Sequence, residues 1–206
     1  MAAVQKLTTT SYAVLGLLAI KPWTTYELAR QISAGGNYWL RSRSKLFEEP
    51  KKLVGLGLAV GAPGRTGKRP KTVYAITEAG RGALAAWLSE PGETPVFESE
   101  QMLKVFFAEH GTKADLVAQV NGLREWAEAE LVRNAMFARR YLAGLGEFPE
   151  RTPILTLIGR FNCDQADAVR RWSEWAAAQI AEWPDDLTAA PPDRSLMERL
   201  AHPDSR

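Results

Sequence analysis

The most constraining feature is the stretch LAVGAPGRTGKRPKTVYAIT (58–77) and the helix signal that follows it. Two short apolar runs, Leu58-Ala59-Val60 and Thr72–Ile76, flank a segment that alternates glycine and proline with Arg65, Lys68, Arg69 and Lys71. The runs read as strands and the segment between them as a turn. No acid occurs from Gly61 until Glu78. Thr77 is placed to cap a helix with Leu84, Trp87 and Leu88 inward. A hairpin whose far end is cationic holds positive charge away from a core, as a polyanion would require.

The residues before the hairpin supply three helix signals. SYAVLGLLAI (11–20) is apolar, with Thr10 or Ser11 as its cap, and Pro22 stops it. TTYELARQI (24–32) opens with Thr24 and Glu27 in capping-box spacing, and Gly35-Gly36 ends it. SRSKLFEEPKKLVGLG (42–57) begins with a serine cap and places Leu46, Leu53 and Val54 at helical spacing. Three helices, a two-stranded wing and a flanking helix make a winged helix-turn-helix. Its third helix presents a basic first turn, with Arg41, Arg43 and Lys45, to a DNA groove.

Charge supports that reading. Residues 1–96 carry 13 Lys and Arg against 6 Glu, and residues 97–206 carry 13 against 18 acids. Within 41–71 there are 9 basic and 2 acidic residues, so the positive excess of the first half is concentrated there. EPGETPVF (90–97) breaks the pattern between two helical regions and marks a domain boundary. The expected organisation is a DNA-binding domain over 1–90, an all-α dimerisation domain over 97–183, and a C-terminal tail over 184–206.

The second half reads as amphipathic helices. Leu103, Phe106, Phe107 and His110 form one pattern. Leu116, Val120, Leu123, Ala127 and Leu131 form another, opened by Thr112 and Asp115. Ile158, Phe161, Ala168, Trp172, Trp175, Ile180 and Trp183 line a third. Such stripes are core or helix–helix interface. Leu103, Phe106, Phe107, Phe161, Trp172, Trp175 and Trp183 are the candidates for pairing two subunits. Trp126, Trp172, Trp175 and Trp183 could instead wall a pocket for a small aromatic effector.

Other function classes find little support. There is no GxSxG, HExxH, Walker or GxGxxG pattern, so no enzyme and no cofactor are expected. One cysteine, Cys163, and two histidines, His110 and His202, argue against a Cys/His metal site and suit a reducing cytoplasm. No apolar run is long enough to span a membrane.

At SYAVLGLLA (11–19), TTYELARQI (24–32), LFEEPKKLVGLGLA (46–59) and KTVYAITEAGRGALAAWL (71–88) the sequence resembles the PadR family of bacterial transcription regulators. EWAEAELVRNAMFARRYLAG (125–144) and RRWSEWAAAQIAEW (170–183) are similar to the larger helical C-terminal domain of one branch. Phe47 stands where the family has tyrosine, and Pro50 where it has leucine. The resemblance implies a dimeric repressor that binds a pseudo-palindromic operator in double-stranded DNA and responds to a small molecule. Ser42, Arg43, Ser44 and Lys45, with Arg41, are the expected base-reading and phosphate-positioning residues. Arg65, Lys68, Arg69 and Lys71 are the expected wing contacts, with Tyr26 beside them and Lys51 and Lys52 extending the patch. Tyr74 is expected in the wing core. A winged helix used only as a protein-interaction adaptor is the alternative, but such a wing needs no acid-free run of cations. Pro50 lies inside the third helix and predicts a kink or break between Leu46 and Pro50.

Overall fold

The computed structural model describes residues 7–34, 43–66 and 69–202, with backbone alone at 33–34, 43–46, 65–66 and 69–70. Two compact units divide the chain, Met1–Pro95 and Val96–Arg206.

The first unit runs α1 (Thr9–Ile20), β1 (Trp23–Thr24), α2 (Thr25–Ala34), α3 (Arg43–Gly55), β2 (Ala59–Thr66), β3 (Arg69–Ile76) and α4 (Glu78–Ser89). This is a winged helix-turn-helix, as its sequence order requires. Helix α1 starts earlier than the sequence suggests. Thr8 is its cap, and Ser11 sits at the third helical position, where its hydroxyl bonds back to the Thr8 N–H at 2.9 Å. The Thr24–Glu27 capping box is present: the Thr24 N–H reaches Glu27 Oε2 at 2.8 Å, and the Glu27 N–H reaches Thr24 Oγ1 at 3.3 Å.

The sheet has the order β1-β3-β2, all antiparallel. Strand β1 escaped the sequence reading because two residues carry no periodicity. Its Trp23 is almost fully buried and gives its indole N–H to the Leu17 carbonyl at 2.8 Å, so the ring joins the core without leaving a donor unmet. Strands β2 and β3 are longer than predicted. They pair from Ala59↔Ile76 out to Thr66↔Arg69, so Arg65, Arg69 and Lys71 lie on strands and not in a loop. Pairing of backbone groups, not side-chain hydrophobicity, carries the strands past Val60, and this is why an apolar pattern did not reveal them.

The core of this unit is Val14, Leu15, Leu18, Trp23, Leu28, Leu53, Ala59 and Tyr74. Each large apolar side chain so buried contributes about 1.5–3 kcal/mol. Three expected core positions, Val54, Trp87 and Leu88, differ. Val54 is exposed, as Leu53 alone faces inward at that turn. On α4, Leu84 is half-buried, Leu88 is mostly exposed, and Trp87 stacks on Tyr12 with ring centroids 4.7 Å apart. The flat contact with Tyr12 explains how α4 packs without a deep apolar stripe.

Helix α3 ends in a Schellman motif. Gly57 is left-handed at φ 71°, its N–H bonds the Val54 carbonyl, and the Leu58 N–H bonds the Leu53 carbonyl. Of the expected kink or break, the break is absent: α3 is one helix from Arg43 to Gly55 with Pro50 inside it. Proline removes one backbone bond there, but its ring is fully buried, and that burial offsets part of the loss.

The second unit runs α5 (Glu100–Phe106), a 3-10 turn (Ala108–His110), α6 (Lys113–Leu142), a 3-10 turn (Pro149–Arg151), α7 (Thr152–Ala181), a 3-10 turn (Leu187–Ala189) and α8 (Arg194–Ala201). It is all helical, built on the α6–α7 pair. Thr112 and Asp115 form the expected capping box on α6. Leu116, Val120, Ala176 and Ile180 cluster, with Trp172, Trp183 and Leu187 packed against them. The buried side of α7 is Ala166, Ser173, Ala176 and Ile180, a small-residue seam. Ala168 falls outside it, and Phe161 and Trp175 are about half exposed, at 48% and 44%.

Candidate nucleic-acid interface

Three elements of the first unit carry the predicted contact residues. The capping box sets the start of α2, and Tyr26 follows in its first turn with 73% of its surface exposed. It is therefore not a packing residue. Helix α3 begins at Arg43, so Arg43, Ser44 and Lys45 occupy its first turn, where unpaired backbone N–H groups and the helix dipole favour an anion. On the wing, Arg65 pairs across to Pro70, Arg69 to Thr66, and Lys71 to Gly64. A Cβ at Gly64 would lie 2.8 Å from Val73 Cγ2, so the hairpin is narrow there and glycine suits it. Arg41, Ser42 and Lys68, and with them the Gly35-Gly36 stop, lie outside the described residues.

Electrostatics distinguish these cations. Lys71 is half-buried, and it and Lys21 both act on Glu27. Hydrogen bonds from Thr24, chiefly from its side chain, hold the Glu27 carboxyl below its ordinary value, and those two lysines lower it further. Lys21 lies 4.2 Å from the centroid of the Trp23 ring.

Lys52 does not extend the patch. It turns inward, donating to Glu49 Oε1 at 3.0 Å and to Ser11 Oγ at 3.2 Å. Ser11 Oγ in turn donates to Glu49 Oε1. Ser11 is completely buried and Glu49 nearly so. Sequence reasoning missed this cluster because its members are 38 and 41 positions apart and each alone reads as a surface or cap residue. Lys51 is exposed.

In the second unit, Leu103, Phe106 and Phe107 are at least half exposed, and Phe106 and Phe107 meet edge to face. Trp172 and Trp183 are half-buried against their own hairpin. A groove in this unit is lined by Leu103, Lys104, Phe107, His110, Asp115 and Gln119, and by none of Trp126, Trp172, Trp175 and Trp183. Among the described residues no three His, Cys, Asp or Glu side chains gather as a metal site, and no helix is long and apolar enough to cross a membrane.

Comparison with known proteins bears out the resemblance to PadR regulators. Residues 99–181 match the family described as Virulence activator alpha C-term. The fold is shared with Bacillus subtilis PadR solved in complex with operator DNA, at TM-score 0.72 and 22% identity over 84% of this chain and 99% of that one. It is shared with the same protein in complex with p-coumaric acid, at TM-score 0.66 and 22% identity over 85% and 100%. It is also shared with the Vibrio cholerae virulence activator AphA, at TM-score 0.62 and 22% identity over 84% and 98%. No curated protein sequence matches the chain.

Proposed function

We propose that this chain, a two-unit protein with the fold of PadR regulators, is a sequence-specific DNA-binding transcription regulator that acts as a homodimer on a two-fold operator, as a repressor. The observation that carries the reading is the paired wing. Its backbone bonds run out to Thr66↔Arg69 and so place Arg65 and Arg69 at its far end. The first turn of α3, with Arg43 and Lys45, adds a second cationic element from the same unit. Arginines and lysines on the wing would meet phosphate and fix register, while the first turn of α3 reads base edges. The operator-bound form of Bacillus subtilis PadR supports this use of the fold. Its complex with p-coumaric acid supports a small aromatic acid as the effector class.

Genome-fragment binding selection with the purified protein, followed by footprinting, tests the reading. A symmetric protected site supports it, and failure to enrich any fragment overturns it. A second test concerns the wing. Neutralising Lys68 and Arg69 together is expected to weaken specific and non-specific binding alike. It should flatten the log–log salt dependence by about 1–2 units, since each lost phosphate contact removes about 0.9. An unchanged slope removes the wing from the interface.

A further inference from the structure

Pro50 interrupts the hydrogen-bond ladder of α3 between its first turn, Arg43–Lys45, and the residue that anchors it to the core, Leu53. An α-helix transmits position along its axis through the i to i−4 bonds, and here the bond from residue 50 to the Leu46 carbonyl cannot form. The buried cluster lies across that gap. Glu49 is the last residue before the proline, Lys52 lies just after it, and both bond to Ser11 of α1.

The chemistry of the cluster is closed. A hydroxyl has one donor and two acceptor sites. Ser11 Oγ donates to Glu49 and accepts from the Thr8 N–H and from Lys52. The Glu49 carboxylate also lies against the N-terminal turn of α1, where the helix dipole favours negative charge. Few surroundings make a nearly buried glutamate favourable, and this one supplies a cation, a hydroxyl and a dipole together.

The geometry points to Ser11, Glu49 and Lys52 as a splint across Pro50: positioning residues that fix the reading turn of α3 relative to α1 and so set sequence discrimination. This inference rests on the DNA-binding reading above. The splint replaces the missing backbone bond with side-chain bonds on both sides of the proline, tied to a second helix. Discrimination between base pairs depends on sub-ångström placement of side chains at base edges, whereas contact with phosphate tolerates displacement. Loss of the splint should therefore lower specific affinity more than non-specific affinity.

The test uses the full chain and the most enriched duplex from the selection, with a scrambled duplex as reference. Ser11→Ala and, separately, Glu49→Gln are expected to reduce the specific to non-specific affinity ratio about tenfold, the scale of one displaced base contact. Thr8→Ala weakens the α1 cap and removes the 3.2 Å contact of the Thr8 hydroxyl with Ser11 Oγ, but it keeps the Thr8 N–H and the Ser11–Glu49 bond, so it should lower the melting temperature without changing the ratio. Pro50→Ala restores the backbone donor, so in the Ser11→Ala background it should recover discrimination. A DNA-independent readout accompanies these. Hydrogen exchange at the amides of Phe47, Glu48 and Glu49 should accelerate in Ser11→Ala and not in Thr8→Ala. An unchanged ratio in Ser11→Ala, or a ratio that falls equally in Thr8→Ala, overturns the splint. If the wild-type chain binds selected and scrambled duplexes alike, the functional reading fails, and unchanged exchange at those amides then separately sinks the splint.

Discussion

Gly80 shows how one missing side chain can hold a motif together. It sits in the first turn of α4, and a Cβ there would come within 2.1 Å of the Leu58 carbonyl oxygen and 2.8 Å of Ile76 Cγ1. Backbone cannot yield as a flexible side chain can. Elsewhere in a helix, glycine to alanine gains up to about 1 kcal/mol; here the clash reverses the sign. Gly80→Ala is expected to destabilise the first unit by about 1–3 kcal/mol. Gly82→Ala, with nothing within 4 Å, should stabilise it slightly. Paired thermal melts of the two variants check this, and equal shifts would refute it. Glu27 adds a pH dependence. Its folded-state value is lowered, mainly by the Thr24 hydroxyl. A lowered carboxyl contributes stability that is present above its unfolded value and lost as pH falls through the folded one. The melting-temperature gap between the wild type and Glu27→Gln should therefore be largest near neutrality. It should close as the pH falls below the ordinary carboxylate range.

At the scale of elements, termini decide a good deal. The Lys113 ammonium, at the start of α6, donates to the carbonyls of Ala181 at 3.0 Å and Trp183 at 2.5 Å, so the beginning of one long helix caps the end of its partner. A cation at a helix C-terminus contributes roughly 0.3–1 kcal/mol, and hydrogen bonds from a charged group add to that. Lys113→Met should cost the second unit about 1 kcal/mol and lose much of its effect in high salt; a salt-independent loss in denaturant titration would point to packing instead. The elements also mark what the sequence made legible. The Thr24–Glu27 and Thr112–Asp115 boxes were readable because capping is local and needs only a three-residue spacing. The outer half of the wing was not, since interstrand bonding leaves no trace in hydrophobicity. The continuity of α3 through Pro50 was not readable, because a local propensity was weighed without the tertiary contacts that bury its ring. The inward turn of Lys52 was hidden for the same reason: its partners lie on its own helix and on one far back in the chain. Arg43, Lys45 and the wing cations were legible as a cluster of charge, but that Lys71 lies close enough to act on Glu27 required the fold.

At the scale of the whole molecule, two units with separate cores meet different demands. The second exposes Leu103 and Phe106 on α5, Phe107 directly after it, and Phe161 and Trp175 on α7. Exposed aromatic surface on that scale fits an interface between copies. The full chain is expected to be a dimer by size-exclusion with light scattering at micromolar concentration, and residues 1–95 alone a monomer that binds DNA poorly. A monomeric full chain under those conditions would reject the pairing. The same division also bears on synthesis. Met1–Pro95 leaves the ribosome first, and its core residues, Val14 through Tyr74, are all in hand before Val96 onward is translated. At about 5–20 residues per second, the remaining chain takes roughly 5–20 seconds to follow. On the DNA-binding and pairing reading proposed above, a nascent chain would engage only one half-site and compete poorly for the operator, so occupancy would track finished, released protein.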